Sequence, residues 1–527
     1  MYKYKISFSN YKLRDYEMIL ALREFETLFP HLKNKKINLD NIEVETKNKL
    51  NENRLKKLTF FSQFNIENKK LLGQNNYTEQ TILEHLNHNE INKLDQNQAP
   101  NLVINSSRKT RYLSHSFHEY KGRFYPQLVR SFINSSGIKS KHTVLDPFCG
   151  SGTTLVESLL YGVNAIGIDI NPAAHMIAKA KVRSLQIPLN QIKKLKKRFN
   201  SIDTNTAWQK INVTNIEHLD IKYLINWFPE ENLKKIFYLI NRIESVDNED
   251  ENLLLKVVLS SILRQFSLQD PRQLRIRRRK DIPPINLLQI FKKSLGQRLT
   301  TLESFQRLNS FQVESSIDIF LGDVRDIFST TSIKPNSVDL VITSPPYATA
   351  LPYIDTDRLS LFVFGFTDKK NFGQLEQSLI GNREITKNKR KLIDIELEKN
   401  FKHSDLPDKI IESLKNIYFL NKNADVGFRR KNKAAMLFKY FLHMHEGLQQ
   451  IYKAMKRRKF AFFVIGNNKT KAGGKDIVIP TANFIELIAK QCKFEIVDKI
   501  SMSVQPGYLI HSKNSINSEF ILVLRKK

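Results

Sequence analysis

Cysteine is nearly absent from this 527-residue chain, which carries two, Cys149 and Cys492. Two thiols cannot build a disulfide framework or a cysteine-rich zinc site, and such sparing use suits a reducing compartment, so the expected location is the cytoplasm. Long apolar runs are missing as well. The strongest, Phe460 to Ile465, falls far short of the roughly 20 residues that span a bilayer, and no N-terminal stretch resembles a signal peptide, so no membrane insertion is expected. Acidic side chains are scarce: 53 against 84 lysines and arginines leave a formal charge of +31. That excess surpasses what solubility needs and suggests a polyanionic partner, although a composition rich in Lys, Asn and Ile, as an AT-biased genome produces, raises charge without selection for binding. Against these absences stand 34 Phe, 17 Tyr and 41% apolar residues, enough to fill real cores and to exclude a disordered basic chain. At about 150 residues per domain, roughly two to four units are expected.

Tyr2, Tyr4, Ile6 and Phe8 alternate with Lys3, Lys5 and Ser7, the period of a strand with one buried face. Ile19, Leu22, Phe25 and Phe29 then recur near helical spacing until Pro30, which predicts an amphipathic helix. A small α+β unit is expected over 1–65, and a polar, Asn/Gln-rich linker over 66–105. Beyond it, short apolar strands alternate with helices, the signature of a parallel sheet covered on both faces. Seven strands are expected, at 143–146, 165–169, 317–322, 338–343, 460–466, 494–500 and 519–525. The α/β domain is thus split into 106–181, 314–347 and 459–527, separated by two helical, basic inserts at 182–313 and 348–458.

Val144-Leu145-Asp146-Pro147-Phe148-Cys149-Gly150-Ser151-Gly152-Thr153-Thr154 runs from an apolar strand through a glycine turn into an apolar helix. Gly150 and Gly152 allow a tight turn and close approach to a ligand, and the helix N-terminus beyond offers free N–H groups. About 20 residues on, Asp169 closes the second strand with a carboxylate suited to ribose hydroxyls. A tight turn without a ligand is the other reading of this segment. Thr343-Ser344-Pro345-Pro346-Tyr347 ends the fourth strand in a rigid corner that points carbonyls and a ring into the crevice; alone, it is equally a bare strand-ending turn.

Taken together, the two segments resemble those of the exocyclic-amino nucleobase methyltransferases, whose cofactor motif and (Asp/Asn/Ser)-Pro-Pro-(Tyr/Phe) motif match here residue by residue. The resemblance covers about 112–180 and 315–527 and implies a doubly wound, seven-stranded, mostly parallel Rossmann-like methyltransferase sheet with helical inserts. It implies S-adenosylmethionine as cofactor, surrounded by Asp146, Phe148, Gly150, Gly152 and Thr153, with Asp169 at its ribose and Asp323 at its adenine. The segment His115 to Gln127 is similar to the one that covers the methionine end in that family.

The chemistry asked of Ser344, Pro345, Pro346 and Tyr347 is legible without the family. An exocyclic amine is a poor nucleophile because its lone pair is delocalised into the ring. Acceptors from Ser344 and the Pro345 carbonyl stabilise the charge that develops as nitrogen pyramidalises, and Tyr347 stacks on the base. The amine lies inside a duplex, so the base must be flipped out or single-stranded. Serine in the first motif position, preceded by Thr343, is the form associated in this family with the cytosine N4 amine; adenine enzymes usually carry Asp or Asn there. The expected function is therefore site-specific N4-cytosine methylation of DNA, with N6-adenine methylation as alternative and a separately encoded restriction endonuclease as a conceivable partner. The strand–helix opening also resembles RNA-methylating relatives that act on guanine N2, and a catalytically silent nucleic-acid-binding protein is a further alternative.

Basic runs supply candidate phosphate clamps: Arg275, Arg277, Arg278, Arg279 and Lys280 in the first insert, Lys387 and Arg390 in the second. A solvated helical face explains each run equally well. Arg429 to Lys431 carries the same ambiguity, and 456–459 also reads as a helix C-terminal cap. Tyr353, Asp355, Asp357 and Arg358 follow the catalytic corner and order either the pocket or their own salt-bridged loop. His115, His118, His443 and His445 lack cysteine partners and zinc-finger spacing, so no metal is expected. Cys149 reads as a packing residue.

Overall fold

The computed structural model describes residues 1–9, 11–32, 35–66, 69–72, 111–120, 122–202, 206–213, 219–273, 276–307, 315–348, 353–382, 385–398, 405–503 and 518–527. Arg275 and most of the expected linker, 73–105, lie outside them.

The alternation at the N-terminus builds strand β1 (Tyr2–Phe8), in which Tyr4, Ile6 and Phe8 are buried and Lys3 and Lys5 exposed. With β2 (Lys35–Ile37), β3 (Asn41–Thr46), β4 (Phe61–Ile66) and β5 (Lys69–Leu72) it forms an antiparallel sheet in the order β2-β3-β1-β4-β5. The sheet runs past the boundary expected at 65, because Lys69–Leu72 pairs with β4 although it lacks the alternation that marks a strand. Helix Asp15–Leu28 buries Tyr16, Leu20 and Phe25 under it.

This unit is bolted to the second by buried polar groups. Glu24 accepts from the Thr59 amide (2.8 Å) and from Asn134 Nδ2 (2.8 Å), while Asn134 Oδ1 accepts from the Tyr161 hydroxyl (2.9 Å). Burial pushes the Glu24 carboxyl from 4.5 up to about 7. An acid whose folded value is raised holds its proton more tightly in the folded state, so its stabilising contribution is complete below 4.5 and lost as pH rises through about 7. Thermal unfolding of the wild type is expected to move to lower temperature between these limits, and Glu24→Gln to flatten that slope; parallel profiles would discount the assignment.

The second sheet contains β6 (Thr143–Asp146), β7 (Asn164–Asp169), β8 (Ile317–Leu321), β9 (Val338–Thr343), β10 (Met455–Gly466), β13 (Phe494–Ser503) and β14 (Ser518–Lys526). A hairpin of β11 (Asn468–Ala472) and β12 (Lys475–Ile479) stands apart. The sheet order is β13-β14-β10-β9-β6-β7-β8; β6 to β10 pair in parallel, and β14 enters antiparallel between β10 and β13. These are the seven strands expected from the sequence. β10 starts early: the basic stretch 456–459, read as a possible helix cap, belongs to the strand, where Lys456 and Lys459 reach Asp339 at 2.9 and 3.6 Å. Every residue of β9 is buried, and Phe132 stacks on Phe462 with ring centroids 4.6 Å apart.

Because β6 has β7 on one side and β9 on the other, the chain direction of the winding reverses there. A crevice opens at the carboxyl ends of the strands at such a switch point. Among the described residues no helix is long and apolar enough to cross a membrane, and no cluster of His, Cys, Asp or Glu has the makings of a metal site.

Candidate active site

Two corners meet in that crevice. The first leaves β6 at Asp146 and enters helix Thr153–Tyr161 through Gly150 (φ +49°) and Gly152 (φ +79°). A Cβ on Gly152 would lie 2.9 Å from the Ala178 Cβ, and one on Gly150 would lie 3.0 Å from the Tyr120 ring. Any other residue is strained at both places, by the left-handed backbone and by these contacts. Asp169, at the end of β7, pins the turn by accepting from the Gly150 amide (2.8 Å) and the Asn171 amide (2.9 Å).

Asp146 ties three elements together. It accepts from Thr154 Oγ1 and Thr343 Oγ1, both at 2.6 Å, and from the Phe148 amide at 3.2 Å. Burial pushes both Asp146 and Asp169 up to about 6, with hydrogen bonds opposing the rise. Asp323, after β8, caps the next turn by accepting from the Arg325 amide (2.9 Å) and pairs with the Arg325 guanidinium.

The second corner leaves β9 at Thr343. Ser344 Oγ donates to the Val464 carbonyl on β10 (3.1 Å). The Pro346 carbonyl accepts from the Tyr440 hydroxyl (2.9 Å), and the Ala348 carbonyl from Asn468 Nδ2 (2.8 Å). The Tyr347 hydroxyl donates to Glu519 Oε1 (2.6 Å) on β14, whose carboxyl burial pushes upward. Tyr440, Asn468 and Glu519 went unnoticed in the sequence. They come from a helix, a hairpin and the antiparallel strand, and no local pattern relates them to the corner.

A single cavity of about 420 Å³ is lined by Gly150, Asp169, Asp323, Ser344, Pro345 and Tyr347. The two corners therefore open side by side. Asp146, Phe148, Thr153 and Pro346 also face it, while Gly152 lies beneath, against Ala178. Tyr120 and Phe124, from the segment ahead of β6, add aromatic wall. Cys149 is buried and held as a thiol by burial, and His115 and His118 are occupied by Glu157 and Ser260, each at 2.9 Å.

The outer wall comes from the second insert, through Glu376, Leu379, Asn382, Arg429, Arg430 and Met436; among the described residues none from 182–313 reaches the cavity. Of the basic residues singled out from the sequence, Arg429 and Arg430 thus line the cavity and the described residues of the other two runs lie elsewhere. Arg277, Arg278, Lys280 and Lys387 are exposed and do not line it. Arg279 donates to the carbonyls of Ser267 (3.0 Å) and Gln265 (2.5 Å), and Arg390 to Asn432 Oδ1 (3.1 Å). The first braces its own loop, and the second ties its helix, Lys387–Glu398, to Asn432.

Residues 4–180 match the N6/N4 methylase family model, described as DNA methylase. The chain is 24% identical over 441 residues to the type II methyltransferase M.MvaI of Kocuria varians, covering 79% of this chain and 92% of that protein. It is 27% identical over 321 residues to the type II methyltransferase M.BsoBI of Geobacillus stearothermophilus, covering 55% and 59%. A shorter match, 46% over 52 residues, joins it to a tRNA (guanine(10)-N2)-dimethyltransferase of Methanothermobacter thermautotrophicus, covering 10% and 16%.

Proposed function

We propose that this chain, like the type II methyltransferases it resembles, is an S-adenosylmethionine-dependent enzyme of the N4/N6 DNA methylase family, and that it methylates cytosine at the N4 amine within a specific DNA site. The observation that carries this reading is the donor role of Ser344. A hydroxyl has one proton, and Ser344 spends it on the Val464 carbonyl, so what it offers the cavity is lone pairs. An exocyclic NH₂ needs such acceptors as it turns nucleophilic, and the Pro345 carbonyl is the second.

The cavity suits the cofactor. Its volume falls in the range of small-ligand sites, its glycine turn leaves backbone close to the ligand, and Asp169 and Asp323 supply acceptors for ribose and adenine. When bound, S-adenosylmethionine supplies a methyl group already activated on a sulfonium. The protein's share is then to orient the amine, stabilise its developing charge and exclude water, with Tyr120 and Phe124 closing the side ahead of β6.

Tyr347 is assigned the face of the base. Its hydroxyl bond to Glu519 fixes the ring plane, and a stacked base gains about 1–3 kcal/mol from such a platform. Tyr347→Phe is expected to keep most turnover and Tyr347→Ala to lose about 10- to 100-fold, with cofactor affinity unchanged in both. Equal turnover of Tyr347→Ala and wild type would remove the stacking role.

Adenine enzymes usually place a longer carboxylate or amide at the position of Ser344, which favours cytosine here. The RNA reading draws on matches of 52 to 125 residues to tRNA (guanine(10)-N2)-dimethyltransferases, against 441 for the type II methyltransferase M.MvaI. A partner endonuclease cutting the same unmodified site fits the type II designation of the relatives. Incubation with labelled S-adenosylmethionine and separate DNA and RNA, followed by mass spectrometry of the nucleosides, decides among these. N4-methylcytosine is the expected product; N6-methyladenine or N2-methylguanosine would replace the assignment, and no product would leave a silent binder.

A further inference from the structure

Phe428 is 64% exposed. A lone exposed phenylalanine is ordinary, but this one is mounted as few surface rings are. It opens the short helix Phe428–Lys431, and the two residues that follow it, Arg429 and Arg430, line the cavity. The helix is anchored from below by buried Asn421, whose Nδ2 donates to the Arg430 carbonyl (2.9 Å) and whose Oδ1 accepts from the Gly473 amide (3.2 Å). From the side, the Arg390 guanidinium sits 5.8 Å from the ring centroid, itself held by Asn432 and by Asp394 at 3.4 Å. The ring is therefore braced yet left in water, directly ahead of two arginines of the cavity wall.

A base that reaches Ser344 leaves a gap in its stack, and the duplex closes unless something apolar fills it. Phe428 has the right character and position for that, and the exposed cations of Arg429, Arg430 and Lys431 complement the phosphates on either side of the gap. We propose that Phe428 is the wedge that enters the duplex beside the extruded base, with Arg429 and Arg430 holding the flanking backbone. The proposal rests on the reading of the chain as a methyltransferase of duplex DNA.

The test uses the full chain and two duplexes carrying the recognition site, which is first read by sequencing DNA that the wild type has modified. In one duplex the target base is paired; in the other it is mispaired, so that extrusion is easier. Phe428→Ala is expected to slow methyl transfer about tenfold or more on the paired duplex and no more than about twofold on the mispaired one, whereas Phe428→Trp stays within about threefold of wild type on both. Cofactor affinity of Phe428→Ala should match wild type, which separates the effect from misfolding. Wild-type rates for Phe428→Ala on the paired duplex, or the same loss on both duplexes, would overturn the wedge. A wild type that modifies neither duplex nor any other DNA would overturn the underlying reading and the wedge with it, a result distinct from a slow variant.

Discussion

Ser344→Ala is expected to lower the single-turnover rate of methyl transfer by about 10²–10³-fold, the usual loss when one preorganised hydrogen-bonding group is removed from a transition state. The Val464 carbonyl sets the role of this hydroxyl. By taking the only proton Ser344 has (3.1 Å), it prevents the hydroxyl from donating to the base and turns its lone pairs into a fixed acceptor. Fixing matters because an acceptor that must rotate into place spends part of its interaction on reorganisation. The neighbouring carbonyls are fixed too: Tyr440 holds that of Pro346 and Asn468 that of Ala348. The corner is thus braced from a helix, a hairpin and two strands. Cofactor affinity should be unchanged in Ser344→Ala, since no bond of Ser344 reaches Asp146, Asp169 or the glycine turn. Calorimetric titration of the cofactor beside rapid-quench methyl transfer separates the two quantities, and a rate within threefold of wild type would remove Ser344 from the chemistry. Asparagine at this position, which is longer and offers a carbonyl, should recover part of the rate on adenine before it does so on cytosine.

Much of this framework is legible in the sequence because it is built from local signals. Strand β9 announces itself by the apolar run Leu340 to Ile342, since it is buried on both faces, and Gly150 and Gly152 announce a turn in left-handed backbone that strains any other residue. That Gly150 and Tyr347, nearly two hundred positions apart, face one cavity follows from the winding order alone. Other features depend on what lies opposite in space. Glu519 orients Tyr347 from the antiparallel strand, and nothing near Glu519 in sequence betrays that. Charge runs are ambiguous for the same reason: Arg279 and Arg390 look like solvated cations in a string of letters but donate to carbonyls and an amide, while Arg429 and Arg430, no more conspicuous, line the cavity. The division of labour between the inserts was likewise hidden. Both are helical and basic, yet only 348–458 contributes described residues to the cavity wall, which directs the search for sequence recognition there.

Asp169→Ala is expected to weaken cofactor binding by about 100-fold, with the loss expressed in Kd and in KM for the cofactor ahead of kcat. Two effects add. The carboxylate is the acceptor proposed for the ribose, and a hydrogen bond to a charged group is worth about 1.5–3 kcal/mol. It also holds the Gly150 amide at 2.8 Å, so its removal frees a turn that only left-handed glycines can form. The pH dependence discriminates between these contributions. Burial raises Asp169 to about 6, with Asp357 beside it raised to about 7 and linked to it through Asn171. Below that range Asp169 carries a proton and has lost acceptor strength; above it the carboxylate is ionised. Cofactor affinity of the wild type should therefore rise as pH climbs through about 6 and then level off, because a ligand that prefers the ionised form stabilises it in proportion. Asp169→Asn keeps an acceptor for the Gly150 amide but cannot titrate, so its weaker affinity should be nearly flat from pH 5 to 8. Should Asp169→Asn retain the wild-type slope, the titrating group is another, with Asp357 and Asp146 the next to replace; should Asp169→Ala bind cofactor as the wild type does, the carboxylate has no part in holding it and the cavity's polar end must be reassigned.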